Sequence, residues 1–295
     1  MDAYHQQMLD LARAALAEDI GPGDITSLAC LQPERIKAEI IAKSDGILSG
    51  VEAVVLIFHL ADSATRVVLA RHDGDRFARG DRIAEIEGFN QPVMTAERTA
   101  LNFLGHLSGI ATLTGQFVER LKGTDCRILD TRKTTPGQRL LEKRAVVHGG
   151  GTNHRVGLFD MILIKDNHIA ADGSINEAVK LTREFLHSID CRQQFGPAEH
   201  IQVEIEVTGE AELREAIAAG VDRLLLDNQT PESLTRLVAL GRQLNPKVKL
   251  EASGNVTLDN IAAIAASGVD FISSGALTHS APNSDFSLRV VSHTS

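Results

Sequence analysis

Tryptophan is absent from the 295 residues, tyrosine occurs once, and aromatic side chains make up 4% of the chain. A single-strand nucleic-acid binder built on stacking platforms needs more than that. The core has to be assembled from Leu, Ile, Val and Ala, which suits the doubly covered strands of a parallel α/β fold. Cysteine is scarce and scattered (Cys30, Cys126 and Cys191), with no CxxC pair. This argues against a disulfide framework or a zinc site and for a reducing, cytoplasmic setting. No apolar run approaches the ~18 residues of a membrane span. The N-terminal stretch has neither a basic start nor an unbroken apolar core, so it does not read as a secretory signal. Positive charge is also short: 30 Lys and Arg against 39 Asp and Glu give −9. A broad nucleic-acid or anionic-membrane partner is therefore not expected.

What is present is globular. Hydrophobic residues are 43% and charged residues 23%, enough for a sizeable core and against disorder. The C-terminal part reads as repeated strand–helix units. Candidate strands are 126–130, 161–165, 201–207, 223–227, 249–253 and 271–275, with amphipathic segments at 175–186, 210–220, 231–244 and 258–268. Thr230 before Pro231, and Thr257 before Leu258, fit helix N-caps, while Gly220 and Gly268 fit helix stops. Such alternation implies parallel pairing and right-handed crossovers, hence an α/β barrel, complete or open, with a doubly wound sheet as the alternative. The dinucleotide fingerprint GxGxxG is absent. The first hundred residues differ: a helix over 3–18, a GPGD turn, strands at 36–43, 66–77 and 82–88, and a helix at 51–61. They read as a separate α+β domain covering 1–107, followed by a barrel domain over 108–280 and a tail, 281–295, expected to pack back on the first domain. A helical segment over 95–123 links them, weakened or divided by Gly105, Gly109 and Gly115.

The chemistry is expected at the C-terminal ends of the barrel strands. All six expected strand exits are polar: Thr131-Arg132-Lys133, Lys165-Asp166, Glu204 and Glu206, Asp227-Asn228, Ser253-Gly254-Asn255, and Ser274-Gly275. Between Asp130 and His168 seven Lys and Arg face four acids, so a +3 window sits in a chain of −9. Arg132, Lys133, His154, Arg155 and Lys165 fall on or after the first two barrel strands, and guanidinium forks suit a small di- or tri-anion. Arg139, Lys143 and Arg144 read instead as a solvated helix face. Glu206 and Asp227 offer hard oxygen ligands suited to Mg²⁺ beside a phosphate substrate, although either of Glu204 and Glu206 has the alternative of pairing with a lumen cation. The small-residue exits at 253–255 and 273–279 fit a barrel phosphate site. HGGG (148–151) is not an esterase oxyanion segment, because no GxSxG elbow accompanies it; its glycines read as a mobile loop. His168 reads as a cap of the segment after Lys165.

These residues also spell a family. The run DTRKTTPGQRLLEKRAVVHGGGTNHRVGLFDMILIKDNHI (130–169) resembles quinolinate phosphoribosyltransferase. The resemblance continues through EDIGPGDIT (18–26), AERTALNFLGHLSGIAT (96–112), VEIEV (203–207), LLLDN (224–228), LEASGNV (250–256) and VDFISSGALTHS (269–280), nearly the whole chain in order. It implies an N-terminal α/β sandwich domain and a C-terminal open or incomplete α/β barrel. It implies transfer of phosphoribosyl from phosphoribosyl pyrophosphate to quinolinate with decarboxylation, in a homodimer or higher homo-oligomer. Quinolinate would be held by Arg132, Lys133, His154, Arg155 and Lys165, with Arg98 reaching over from the neighbouring subunit. Thr131, Ser253, Gly254, Asn255, Ser274, Gly275 and His279 complete the substrate-binding set. Lys133, Lys165, Glu206 and Asp227 would carry the chemistry, the two acids holding Mg²⁺. A family paralogue with another acidic acceptor, a Schiff-base barrel lyase and a non-catalytic anion-binding barrel are the alternatives.

Overall fold

A computed structural model describes residues 2–294. Numbered in chain order, the elements are α1 (Ala3–Ile20), α2 (Ile25–Cys30), β1 (Arg35–Ala42), β2 (Gly46–Ile47), α3 (Val51–Ala61), β3 (Arg66–Leu69), β4 (Arg76–Phe77), β5 (Arg82–Phe89) and α4 (Asn90–Arg120). There follow β6 (Arg127–Leu129), α5 (Arg139–His148), β7 (Ile162–Ile164), α6 (Asp166–Asp172), α7 (Ile175–Leu186), α8 (Ile189–Phe195), β8 (Val203–Val207), α9 (Glu210–Ala218) and β9 (Arg223–Asp227). The chain closes with α10 (Pro231–Leu244), β10 (Lys249–Ser253), α11 (Ile261–Ala265), β11 (Phe271–Ser273), α12 (Ala276–His279) and β12 (Phe286–Thr294). Two compact units result: residues 1–115, 133–151 and 277–295 form one, and residues 116–132 and 152–276 form the other.

The first unit holds an antiparallel sheet in the order β12-β1-β5-β3 and a small β2-β4 pair. Along β1 every second side chain is buried, the period expected of a sheet with one covered face. β12 pairs with β1 over eight residues of that strand, so the C-terminal strand forms one edge of this sheet. The expected strand at 66–77 is broken in two. Asp75 accepts the His72 N–H through its side chain at 2.8 Å, and Gly74 has φ +89°, which makes a tight turn between β3 and β4. α4 runs undivided through Gly105, Gly109 and Gly115. A Cβ at Gly105 would lie 2.8 Å from the Ser284 carbonyl oxygen, one at Gly109 would overlap that of Pro282, and one at Gly115 would overlap Ile47. These glycines let other backbone and side chains approach the helix closely, and packing outweighs their low helix propensity.

The second unit holds a parallel sheet in the order β6-β11-β10-β9-β8-β7, with helices in the connections. Leu, Ile and Val fill the strands, as expected for strands covered on both faces. Among the described residues no ladder joins the edge strands β6 and β7. A single parallel bridge from Leu129 to Thr152 extends the β6 edge, and the Arg155 guanidinium reaches the Met161 carbonyl beside β7 at 3.2 Å. This is an open α/β barrel. Thr230 caps α10 through a bond from Ser233 N–H, with Pro231 at the first helical position. α11 starts later than Thr257 predicts, because Thr257 and Asn260 first close a turn on each other. Gly220 and Gly268 both take left-handed φ after their helices.

Candidate active site

In the second unit, the C-terminal ends of the strands bring together most of the residues expected from the sequence. Lys165 follows β7 directly, and its Nζ lies 2.9 Å from Oε2 of Glu206 on β8. The Lys165 N–H donates to His168 Nδ1 at 2.9 Å, and the His168 N–H donates to the Lys165 carbonyl at 2.9 Å. His168 therefore closes the first turn of α6. Asp227 ends β9, and its Oδ2 accepts from Asn228 Nδ2 at 2.6 Å. Asn228 and Asn255 take φ of 51° and 50°, a conformation Asn tolerates better than most residues. Asn228 N–H donates to the Ser253 carbonyl at 2.9 Å, and Asn255 Nδ2 reaches Asn228 Oδ1 at 3.4 Å. A side chain at Gly254, φ +100°, would overlap Asn228. The loops after β9 and β10 thus lock each other. Ser274 is less open than expected: its N–H donates to the Leu129 carbonyl at 3.0 Å and its Oγ accepts from Ala276 N–H, while Gly275 leads into α12.

Thr131 and the exposed Arg132 follow β6. Burial pulls the Arg155 guanidinium below its ordinary pKa, and the positive charge of Arg132 pulls it further. The Arg155 guanidinium donates to the Met161 carbonyl at 3.2 Å, at the start of β7, and so is not brought beside Lys165, Glu206 and Asp227 at the strand exits. The loop after Arg155 is rigid, because Asp160 accepts the N–H groups of Val156 and Gly157 at 2.7 and 3.0 Å.

His154 does not present its ring as the sequence suggests. Its Nε2 points into the barrel, 3.0 Å from Glu204 Oε2 and 3.6 Å from Glu251 Oε2, and both carboxylates are 0% exposed. Its Nδ1 accepts the Arg155 N–H at 2.7 Å, and its own N–H donates to the buried Asp130 at 2.8 Å. Parallel strands β8 and β10 turn Glu204 and Glu251 inward, and a fully buried strand face gives them no other environment. Burial pushes the Glu204 carboxyl up to about 7, with Arg223 opposing. Glu251 is also pushed up to about 7, by burial and then by the charge of Glu204. Arg223 offsets part of this at 3.1 Å from Glu251. The three ligand atoms lie within 4.8 Å of one another, close enough for a cation. However, the N–H bond into Nδ1 places the proton of a neutral imidazole on Nε2, the atom that would have to ligate. The cluster is therefore held by charge, with both Glu204 side-chain oxygens and Glu251 Oε1 lacking a hydrogen-bond partner among the described residues, and the Nε2 proton faces Glu204 where a cation would have to sit. Sequence reasoning passed over Glu251; the signal was a lone acid between the apolar Leu250 and Ala252 in the middle of the expected strand.

A cavity of about 420 Å³ is lined by Met161, Gln202 and Arg223, at the starts of β7, β8 and β9, together with His154 and Arg155. Lys165, Glu206 and Asp227 lie at the opposite ends of those strands, so charge and not an enclosed cavity defines the candidate site.

The remaining expected residues belong to the first unit. Arg98 is exposed on α4, Lys133 is exposed at the start of an irregular segment, and exposed His279 has its Nδ1 2.6 Å from Ser280 Oγ. The reading of Arg139, Lys143 and Arg144 as a solvated face fails for Lys143, which is buried along with Glu142 on the covered stripe of α5. Arg144 stacks 4.4 Å over the Tyr4 ring. The glycine run at 149–151 serves close packing: a Cβ at Gly149 would overlap Ala111, and one at Gly151 would lie 2.7 Å from Thr114.

An open parallel barrel whose strand exits carry a lysine–glutamate pair beside a second carboxylate has the frame of an α/β-barrel enzyme acting on small anions. Family models described as quinolinate phosphoribosyl transferase, N-terminal domain and C-terminal domain, match residues 24–108 and 110–289. The chain belongs to the quinolinate phosphoribosyltransferase family. It is 44% identical over 287 residues to the probable nicotinate-nucleotide pyrophosphorylase (carboxylating) of Bacillus subtilis, covering 97% of this chain and 94% of that protein. The nicotinate-nucleotide pyrophosphorylase structure from Francisella tularensis superposes with a TM-score of 0.88 at 39% identity, covering 97% of this chain and 96% of that one. NadC from Streptococcus pyogenes gives a TM-score of 0.91 at 38% identity, covering 100% of both chains.

Proposed function

We propose that this chain transfers phosphoribosyl from phosphoribosyl pyrophosphate to quinolinate with decarboxylation, giving nicotinate mononucleotide, CO₂ and diphosphate in NAD biosynthesis. The observation that carries this reading is the Lys165 ammonium 2.9 Å from Glu206 at the strand exits, beside Asp227 at the end of the neighbouring strand, with Arg132 and Arg155 supplying two guanidinium groups in the same unit. A planar dicarboxylate accepts two guanidinium forks, and that orientation makes attack by the ring nitrogen on ribose C1 near-unimolecular. As the N–C1 bond forms, the bond from C1 to the diphosphate oxygen breaks. The alkylated ring then takes up the electron pair of the bond to the 2-carboxylate. CO₂ departs, and C2 is protonated.

Within this reading Lys165 and Lys133 stabilise charge on the departing diphosphate. The strand exits with Thr131, Ser253, Gly254, Asn255, Ser274, Gly275 and His279 hold phosphate and ribose. Glu206 and Asp227 present carboxylate oxygens and no softer donors at the ends of neighbouring strands, a set that suits Mg²⁺ held in part through water. When bound, Mg²⁺ would neutralise diphosphate charge. His154 acts from behind, holding Arg155 through its backbone. Exposed Arg98 is assigned to the neighbouring subunit's site in a homodimer or higher homo-oligomer, on the strength of the family resemblance. Among the described residues no helix is long and apolar enough to cross a membrane, and all three cysteines are free, which supports a cytoplasmic setting.

The test is incubation with quinolinate, phosphoribosyl pyrophosphate and Mg²⁺, with CO₂ and nicotinate mononucleotide measured together. Stoichiometric formation of both, dependent on every addition and absent with nicotinate as acceptor, is expected. Binding without turnover would reject the reading, and an adduct trapped on lysine by borohydride would indicate a Schiff-base lyase.

A further inference from the structure

The segment Lys133-Thr134-Thr135 has no regular secondary structure, yet each of its residues is tied by a side chain from elsewhere in the first unit. Thr278 Oγ1 donates to the Lys133 carbonyl at 2.8 Å. Arg139 Nε donates to Thr134 Oγ1 at 3.1 Å. Glu142 Oε2 accepts the Thr135 N–H at 3.2 Å, while its Oε1 lies 2.9 Å from His106 Nε2 on α4. Glu142 is 0% exposed and Thr278 is 3% exposed. Pro136, next in the chain, has no N–H with which to extend the pattern. A backbone outside helix and sheet must satisfy its polar groups in some other way, and buried side chains at both ends do so here.

We propose that Thr278 and Glu142 are positioning residues for Lys133: they hold the backbone that carries its ammonium group, the group to which the proposed function gives charge stabilisation of the departing diphosphate. The inference rests on the function proposed above. Thr278 lies in the SSGALTHS exit that reads as phosphate-binding, but its hydroxyl donates inward to backbone. Glu142 sits one turn into α5 and reaches back over the loop that precedes the helix. Its second oxygen is anchored to α4, so the loop is pinned to a 31-residue helix and not to another loop.

The experiment compares Thr278→Val, which keeps the shape and loses the donor, with Thr278→Ser, which keeps the donor, and with Glu142→Gln. Steady-state turnover of quinolinate and phosphoribosyl pyrophosphate is read beside hydrogen–deuterium exchange over residues 133–138. Thr278→Val is expected to lower kcat about 10–100-fold, the cost of a displaced catalytic group, with KM for quinolinate changed less than about twofold. Exchange in 133–138 should accelerate, the melting temperature should hold, and Thr278→Ser should restore both readouts. Wild-type kcat and exchange in Thr278→Val would overturn the proposal. A Thr278→Ser variant as impaired as the valine variant would also overturn it, assigning the site to methyl packing. If wild-type enzyme fails to turn over quinolinate, the functional reading falls, whereas the exchange comparison still decides whether these side chains hold the segment. Should Glu142→Gln not fold, the two Thr278 variants decide alone.

Discussion

Nε2 of His154 lies 3.0 Å from Oε2 of Glu204, in the interior of the open barrel. The Arg155 N–H occupies the other ring nitrogen at 2.7 Å, so Nε2 is the side of the ring turned to the carboxylate. Replacing His154 by Ala leaves Glu204 with a buried charge and one partner fewer, and frees the backbone at Arg155. A stability loss of about 2–4 kcal/mol is expected in denaturant titration. KM for quinolinate should rise even in His154→Gln, which restores a donor without the Nδ1 acceptor. An unchanged KM in both variants would separate His154 from substrate positioning.

The same interior makes stability depend on pH. Glu204 and Glu251 have folded-state values raised from 4.5 to about 7, chiefly by burial. Between those values the folded chain binds more protons than the unfolded one, so this contribution is complete below pH 4.5 and is lost as pH rises through about 7. The urea midpoint should fall over that interval, and Glu251→Gln should flatten the fall. A midpoint that rises across the interval in both proteins would contradict the assignment.

Lys165 is half-exposed and pairs with Glu206 at 2.9 Å. Exposed pairs contribute at most about 1 kcal/mol, so Lys165→Ala should unfold at nearly the wild-type temperature. Its kcat should nonetheless fall by a factor of about 100 or more if the ammonium group meets diphosphate charge in the transition state. Loss of stability without loss of turnover would make the pair structural.

Gly109 lies mid-helix in α4, where alanine ordinarily stabilises by about 1 kcal/mol. Here a Cβ would overlap the Pro282 carbonyl. Gly109→Ala is therefore expected to destabilise by about 1–3 kcal/mol, the cost of overpacking. A raised melting temperature would show that the segment at Pro282 yields without cost.

A shared site predicts complementation. If Arg98 serves the neighbouring subunit, an Arg98→Ala protein mixed with a Lys165→Ala protein and allowed to exchange subunits should regain part of the wild-type activity. Hybrids would contain one site free of both substitutions. Mixtures no more active than their parents would place Arg98 in its own subunit's site.

Much of this protein was legible in one dimension. Strand and helix periods, the Thr230-Pro231 start and the Gly220 and Gly268 stops are local signals, because they depend on neighbours a few residues away. The six polar strand exits followed from the rule that parallel strands end at the functional face. The expected domain cut at residue 107 and the observed division after Gly115 fall within the same helix, α4, while residues 133–151 group with the first unit. That grouping depends on contacts far apart in the chain.

What the sequence by itself determined is an open α/β barrel with an appended α+β domain, and a cationic cluster suited to a small polyanion. Tertiary structure alone decided which polar residues face substrate and which face each other. His154 meets Glu204 and Glu251 only when strands β8 and β10 turn their side chains into one interior, 50 and 97 positions away from it in the chain. Lys143 is buried because α5 packs that stripe inward, and the α4 glycines exist for contacts with residues more than 60 positions distant. A hydrogen bond or an excluded methyl group acts over a few ångströms of space, and chain separation says nothing of that distance until the fold has closed it.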